Sequence, residues 1–239
     1  MCRSVIFGLL VFALIFQTET TNGSSFHHQA QAVLDTDGNE LQVGREYYIV
    51  SAVRGGGVTI GKRESSSSGT HTVRQHSYDM NLGSPVTFTP ASSFSGEMLI
   101  QEEFVGGEYF RETSSQGNRI EEEADLNIGF SGLKRVWQVE EANNDKSSSS
   151  HNQTTRYVTL EGQSGHPGSS TVRNWFRIER INRSSPEYRI TYCPSVCESC
   201  HVNCGNVGIT KDNGKRWLSV SQHEEFPFVF VRARHSNDQ

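Results

Sequence analysis

Short runs of β-branched and aromatic residues recur along this chain, each ended by Gly, Ser, Asn or Asp, and no segment holds a helical period with caps. Such a pattern describes a chain that buries sheet faces and turns back sharply, and it argues against helical and mixed α/β architectures. Seven runs read as strands: 47–50, 86–88, 136–139, 175–178, 188–192, 217–220 and 228–231. Several alternate apolar with polar residues, as a sheet with one wet face does. Three stretches interrupt them. Residues 65–69 read as a polar loop and 143–155 as a low-complexity segment. Residues 95–118 form a longer mixed insertion with Phe104, Tyr109 and Phe110. The acidic triplet Glu121-Glu122-Glu123 reads as a solvated face, and Gly55-Gly56-Gly57 as a turn. The pattern predicts one all-β domain.

The first residues speak to the compartment. Arg3 precedes an apolar run over 5–16 and a polar exit over 17–22, the arrangement of a secretory signal removed near Gly23. That run is shorter than the ~20 apolar residues a spanning helix needs. Residues 1–23 are therefore expected to be a signal peptide and 24–239 a single mature domain. The product is expected to be secreted, to the cell exterior, the cell wall or the endomembrane lumen and vacuole. A net charge of −5 without a basic block gives nucleic acid no electrostatic footprint. No membrane partner is expected. Asn152 and Asn182 head glycosylation sequons, which suit surface loops of an exported protein.

Four of the five cysteines, Cys193, Cys197, Cys200 and Cys204, crowd near the C-terminus, while Cys2 lies in the leader. Four thiols allow three disulfide connectivities, and a zinc site that includes His201 is the chemical rival. Export favours oxidation, so disulfides are expected, with no metal and no cofactor.

A longer pattern runs through the chain in order. It begins with Val33-Leu34-Asp35-Thr36-Asp37-Gly38-Asn39-Glu40-Leu41 and Tyr47-Tyr48-Ile49, where Asp-Gly supplies a turn between strands. It continues with Gly83-Ser84-Pro85-Val86-Thr87-Phe88, Ala124-Asp125-Leu126-Asn127-Ile128 and Trp137-Gln138-Val139. Asn174-Trp175-Phe176-Arg177-Ile178-Glu179, Tyr188-Arg189-Ile190-Thr191-Tyr192-Cys193-Pro194 and Asn206-Val207-Gly208-Ile209 follow. Trp217-Leu218-Ser219-Val220, ahead of Pro227-Phe228-Val229-Phe230, completes it. Over residues 33–234 the chain resembles the plant Kunitz family, the soybean-trypsin-inhibitor type with its miraculin-like members. The resemblance implies a β-trefoil of twelve strands in three pseudo-repeats, with the nested disulfides Cys193–Cys204 and Cys197–Cys200. It also implies a monomer that inhibits endopeptidases, serine-type first and papain-like cysteine-type second.

Departures from the family pattern bear on that activity. Gly69 stands where an earlier disulfide would begin, and Val43 stands where the family often uses an Asn to brace the inhibitory loop. That loop matches residues 89–95, with Ser93–Phe94 nearest the scissile position. Trypsin-like pockets ask for Arg or Lys before that bond, yet no basic residue occurs between Asp79 and Gly107. Arg111, inside the insertion, is the first beyond. The reactive-loop candidates are thus Ser92, Ser93, Phe94 and Arg111, and trypsin inhibition through the usual loop is not expected. A non-inhibitory binding, storage or stress-related protein is the alternative. No G-x-S-x-G elbow, H-E-x-x-H helix or phosphate-cradling loop is present, so no enzymatic activity is expected.

Overall fold

The computed structural model describes residues 31–64, 70–94, 118–141, 155–222 and 226–234, together with the backbone of 101–105 and 108–112. The leader, Gly69 and Asn152 lie outside the described residues.

Strands β1 (Tyr47–Ser51), β2 (Val58–Lys62), β3 (His71–Gln75) and β4 (Val86–Pro90) form a first group. A hairpin of β5 (Gln101–Val105) and β6 (Glu108–Glu112) follows as a separate two-stranded sheet among the described residues. The second group is β7 (Leu126–Phe130), β8 (Arg135–Val139), β9 (Arg156–Gln163) and β10 (Arg177–Arg180). The third is β11 (Tyr188–Tyr192), β12 (Gly205–Asp212), β13 (Lys215–Ser221) and β14 (Phe228–Arg232).

The first and fourth strands of the groups close a ring. β1 pairs with β14, β14 with β11, β11 with β10, β7 with β4, and β4 with β1. The remaining gap is bridged where Leu126 and Phe176 exchange backbone hydrogen bonds of 2.7 and 2.9 Å. Closure of this kind removes exposed sheet edges. The second and third strands form hairpins, β2–β3, β8–β9 and β12–β13. Their third strands meet in a triangle, through Thr72↔Thr159, Ser219↔Tyr157 and Arg216↔Gln75. A barrel capped by three mutually paired hairpins is the expected β-trefoil, and its sheet holds the expected twelve strands.

Alternation builds the barrel. In β4 and β14, Val86, Phe88, Phe228 and Phe230 point inward while their neighbours are only partly buried. The Phe88 ring stands edge-on to Phe230, with centroids 5.5 Å apart, and Tyr188 packs on Phe230 at the same separation. Trp137 meets Phe176 edge-on at 5.9 Å. Aromatic pairs in these arrangements stabilise by about 0.5–1.5 kcal/mol beyond the area they bury.

One expected strand shifts. Residues 175–178 read as a run, but β10 begins at Arg177. Trp175 instead ends a 3-10 turn, Ser169–Asn174, and its indole donates to Thr171 Oγ1 at 3.1 Å. Phe176 is used to close the barrel.

The disulfides are Cys193–Cys204 and Cys197–Cys200, the nested pairing that the family resemblance implies. Both staple the connection between β11 and β12. The larger loop is short enough that its closure restricts the unfolded chain by about 3 kcal/mol at most.

Candidate functional site

The segment that leaves β4 is anchored twice. Pro90, which lacks an N–H, ends the strand, and Ala91–Phe94 turn into a short 3-10 helix. The Ala91 N–H donates to the backbone oxygen of Asp125 at 2.8 Å. At the other end the Phe94 ring stands edge-on to Trp175, centroids 6.1 Å apart and planes at 77°. The ring also rests on Gly165, where an added Cβ would come within 3.0 Å of it. Phe94 keeps 41% of its surface exposed, Trp175 none, and Ser92 and Ser93 are exposed between the two anchors. The structure thus gathers Ser92, Ser93 and Phe94 into one turn. Arg111 is not part of this turn but of β6, its backbone paired in register with Glu102 of β5.

Beneath this turn, Asp125 joins three parts of the chain. Its Oδ1 accepts Arg177 Nε at 2.9 Å, and its Oδ2 accepts the N–H and Oγ–H of Ser195 at 2.9 and 2.7 Å. The disulfide-bearing connection is therefore tied by the same residue whose backbone holds Ala91. Two buried asparagines fix the platform under Phe94. Asn127 donates to the Asn174 carbonyl at 3.0 Å and accepts the Gly165 N–H at 2.8 Å. Asn174 in turn accepts Gln138 Nε2 at 2.8 Å and donates to the Gln163 carbonyl at 3.0 Å. A buried polar network with its members paired gives rigidity, whereas an unpaired one would be costly. Val43 contributes only its backbone, donating to Asn118 at 2.8 Å, while its side chain packs on the core.

Next to Cys193, burial pushes the Tyr192 phenol up, against the pull of Arg156 and Arg173. Burial also lowers Arg156, whose guanidinium sits 5.6 Å from the Tyr192 ring centroid.

A second prominent feature lies at the opposite end of the first repeat's strands. The turn at 76–84 rests directly on Gly55-Gly56-Gly57. Gly55 N–H donates to Asp79 Oδ1 at 2.7 Å, Gly57 N–H to the Asn81 carbonyl at 2.7 Å, and Gly56 N–H to the His76 carbonyl at 2.9 Å. The turn closes on itself through Asn81 N–H to the Tyr78 carbonyl at 3.1 Å. Its tip presents Tyr78, 80% exposed, and Met80, 93% exposed. Burial lowers the His76 imidazole, and Arg74 adds to the shift. The three glycines were legible as a turn. Their role as a bed for a second backbone was not.

The acidic triplet borders a cleft with Arg180 and Arg183, and Glu122 is paired there with Arg180 Nε at 2.8 Å. Asn182 lies exposed on the neighbouring turn, its Oδ1 accepting the Ser184 N–H at 3.0 Å. Among the described residues no group of three His, Cys, Asp or Glu is placed to hold a metal ion, and no helix is long and apolar enough to cross a membrane.

Comparison with known proteins adds the lineage. The profile of the family Kunitz_legume, described as "Trypsin and protease inhibitor", matches residues 33–105 and 108–232. A 21 kDa seed protein of Theobroma cacao is 31% identical over 240 residues, covering 94% of this chain and 91% of its own. Kunitz trypsin inhibitor 5 of Arabidopsis thaliana is 29% identical over 217 residues, covering 89% and 92%. Among solved structures, the Kunitz-type cysteine protease inhibitor PCPI-3 from potato superposes with a TM-score of 0.63. It is 26% identical and covers 87% of this chain and all of its own.

Proposed function

Because the chain belongs to the Kunitz_legume family of trypsin and protease inhibitors, we propose that it is an endopeptidase inhibitor, aimed at serine-type enzymes first and papain-like cysteine enzymes second. The reading extends to an exported, monomeric, single-domain protein that has lost residues 1–23. The observation that carries it is the turn at Ala91–Phe94, exposed in the middle and held at both ends on a closed barrel. A segment fixed in this way loses little conformational entropy when a protease cleft receives it. Its described residues offer no cation for an acidic specificity pocket, so trypsin is not the expected target. Relatives are named as inhibitors of both protease classes, which supports keeping the cysteine-type enzymes in second place.

Titration of the mature protein against trypsin, chymotrypsin, elastase and papain tests this. The expected result is inhibition of chymotrypsin, elastase or papain at micromolar protein, with trypsin spared. Silence against all four would support the other reading, a non-inhibitory binding protein. The exposed side chains of Tyr78 and Met80, two residues apart on the turn at 76–84, favour that alternative, since large apolar side chains left exposed together can serve as a contact surface.

The reading also includes N-glycans on Asn152 and Asn182. In a secreting host the mass should exceed that of the polypeptide and fall on N-glycosidase treatment. Asn182→Gln should remove one glycan's worth of that excess. A mass equal to the bare polypeptide would refute the glycan claim.

A further inference from the structure

We propose that Phe94 is a positioning residue whose ring locks the turn after β4, leaving Ser92 and Ser93 as the residues a protease meets. The partner this implies is a serine endopeptidase with a shallow primary pocket, of the elastase kind. The inference rests on the reading above, that this turn faces a protease.

Phe94 is the largest side chain of the turn, and by size alone it is the natural candidate to fill a specificity pocket. Its surroundings argue otherwise. One side of the ring meets the edge or face of Trp175, and the ring covers Gly165. Withdrawing it into a pocket would break both contacts and expose Trp175, which is fully buried. Binding would be weakened by that loss. The platform is also rigid. The Trp175 indole donates to Thr171 Oγ1, and that hydroxyl donates to the His166 carbonyl at 2.6 Å. Gly165 has φ +83°, a left-handed conformation suited to glycine, and its N–H is fixed by the buried Asn127.

The clamp supplies what the N-terminal side of the site lacks. Val43 has no polar group to brace the turn from behind, and its side chain is spent on the core. Residues 165–175, from the second repeat, hold the turn from the other side. The first anchor is a hydrogen bond at Ala91 and the second is an aromatic contact at Phe94. Only Ser92 and Ser93 lie between them, so docking needs to straighten two residues. Their small side chains suit a shallow pocket and leave a deep apolar one empty.

The test uses the full mature protein with elastase and chymotrypsin. Ser93→Leu should shift the ratio of the two inhibition constants toward chymotrypsin by roughly tenfold or more, the scale on which a few methylenes discriminate. Phe94→Ala should weaken inhibition of both enzymes by a similar factor and leave their ratio unchanged. Phe94→Tyr, which keeps the ring, should restore the wild-type values. A Phe94→Ala protein that loses chymotrypsin alone would overturn the proposal, because the pocket would then be reading Phe94 itself.

The clamp has a readout independent of inhibition. Thermolysin should nick the 91–94 turn faster in Phe94→Ala than in wild type or Phe94→Tyr, and the Trp near-ultraviolet dichroism should change with it. Equal nicking rates would overturn the clamp even in a protein that inhibits nothing. A clamp confirmed by nicking in such a protein would leave the positioning role standing and remove only the protease assignment.

Discussion

Gly57→Ala should cost roughly 3–5 kcal/mol and lower Tm by about 6–20 °C, on the scale of 2–4 °C per kcal/mol for a domain of this size. An added Cβ would lie 1.8 Å from the Leu82 carbonyl oxygen and 2.4 Å from its carbon. Both are backbone atoms, so no rotamer change relieves the clash. Relief must come from parting the two segments. That breaks the bond from Gly57 N–H to Asn81 and the bond from His76 N–H to the Gly57 carbonyl. Overpacking of this kind costs about 1–3 kcal/mol, and each lost hydrogen bond adds about 1 kcal/mol. Gly132→Ala is the matched control. Gly132 has φ +78° but nothing within 4 Å of an added Cβ, so only the left-handed backbone penalty of about 1–2 kcal/mol applies. Thermal unfolding of the two variants measures the difference. Equal Tm values would show that the two turns are not packed backbone to backbone.

Removing the Asp125 carboxylate is expected to be of similar weight and different character. Asp125→Ala leaves the Arg177 guanidinium without its 2.9 Å partner and the Ser195 N–H and hydroxyl without their acceptor. Breaking a buried pair from one side costs about 3–5 kcal/mol. Arg177 keeps some contact with solvent, its side chain being 23% exposed, so the lower end of that range is expected. The loss should also be directional. Amide exchange should accelerate at Ser195, in the disulfide connection, and at Ala91, whose acceptor is the backbone of the same residue. The β1–β14 ladder should stay protected. Asp125→Asn keeps one acceptor oxygen and should recover part of the loss. A change below about 1 kcal/mol in Asp125→Ala, or faster exchange spread over the whole barrel, would contradict the role given to this carboxylate.

Much of the barrel was legible because its strands have one dry face. The alternation in β4, β11 and β14 marks inward residues directly, and these strands fall where the runs were read. β7 escaped the run-by-run reading for the opposite reason: all five of its residues are buried, so Leu-Asn-Ile-Gly-Phe shows no alternation, and Asn127 looks out of place in a core. Only the bonds that Asn127 makes to Asn174 and Gly165 explain it, and those partners are remote in sequence. β12 was hidden by its two glycines and by the charged Lys211 and Asp212 at its far end.

The candidate site divides in the same way. The position of the turn after β4 followed from the order of motifs. What holds it did not, because Trp175 and Gly165 come from the second repeat, and a glycine under an aromatic ring leaves no periodic trace. The disulfide pairing was reached through family likeness and then found in the fold. Spacing alone left three connectivities open.

One ladder of the barrel ring joins its first strand to its last, from Tyr47↔Arg232 to Ser51↔Phe228. During synthesis, β1 leaves the ribosome early and must wait for nearly the entire chain before its partner exists. Pairing across such a separation is entropically slow to nucleate. Until the C-terminus is released, the first repeat carries an open strand edge, and the nascent chain is exposed there to the edge-to-edge association that the finished barrel prevents.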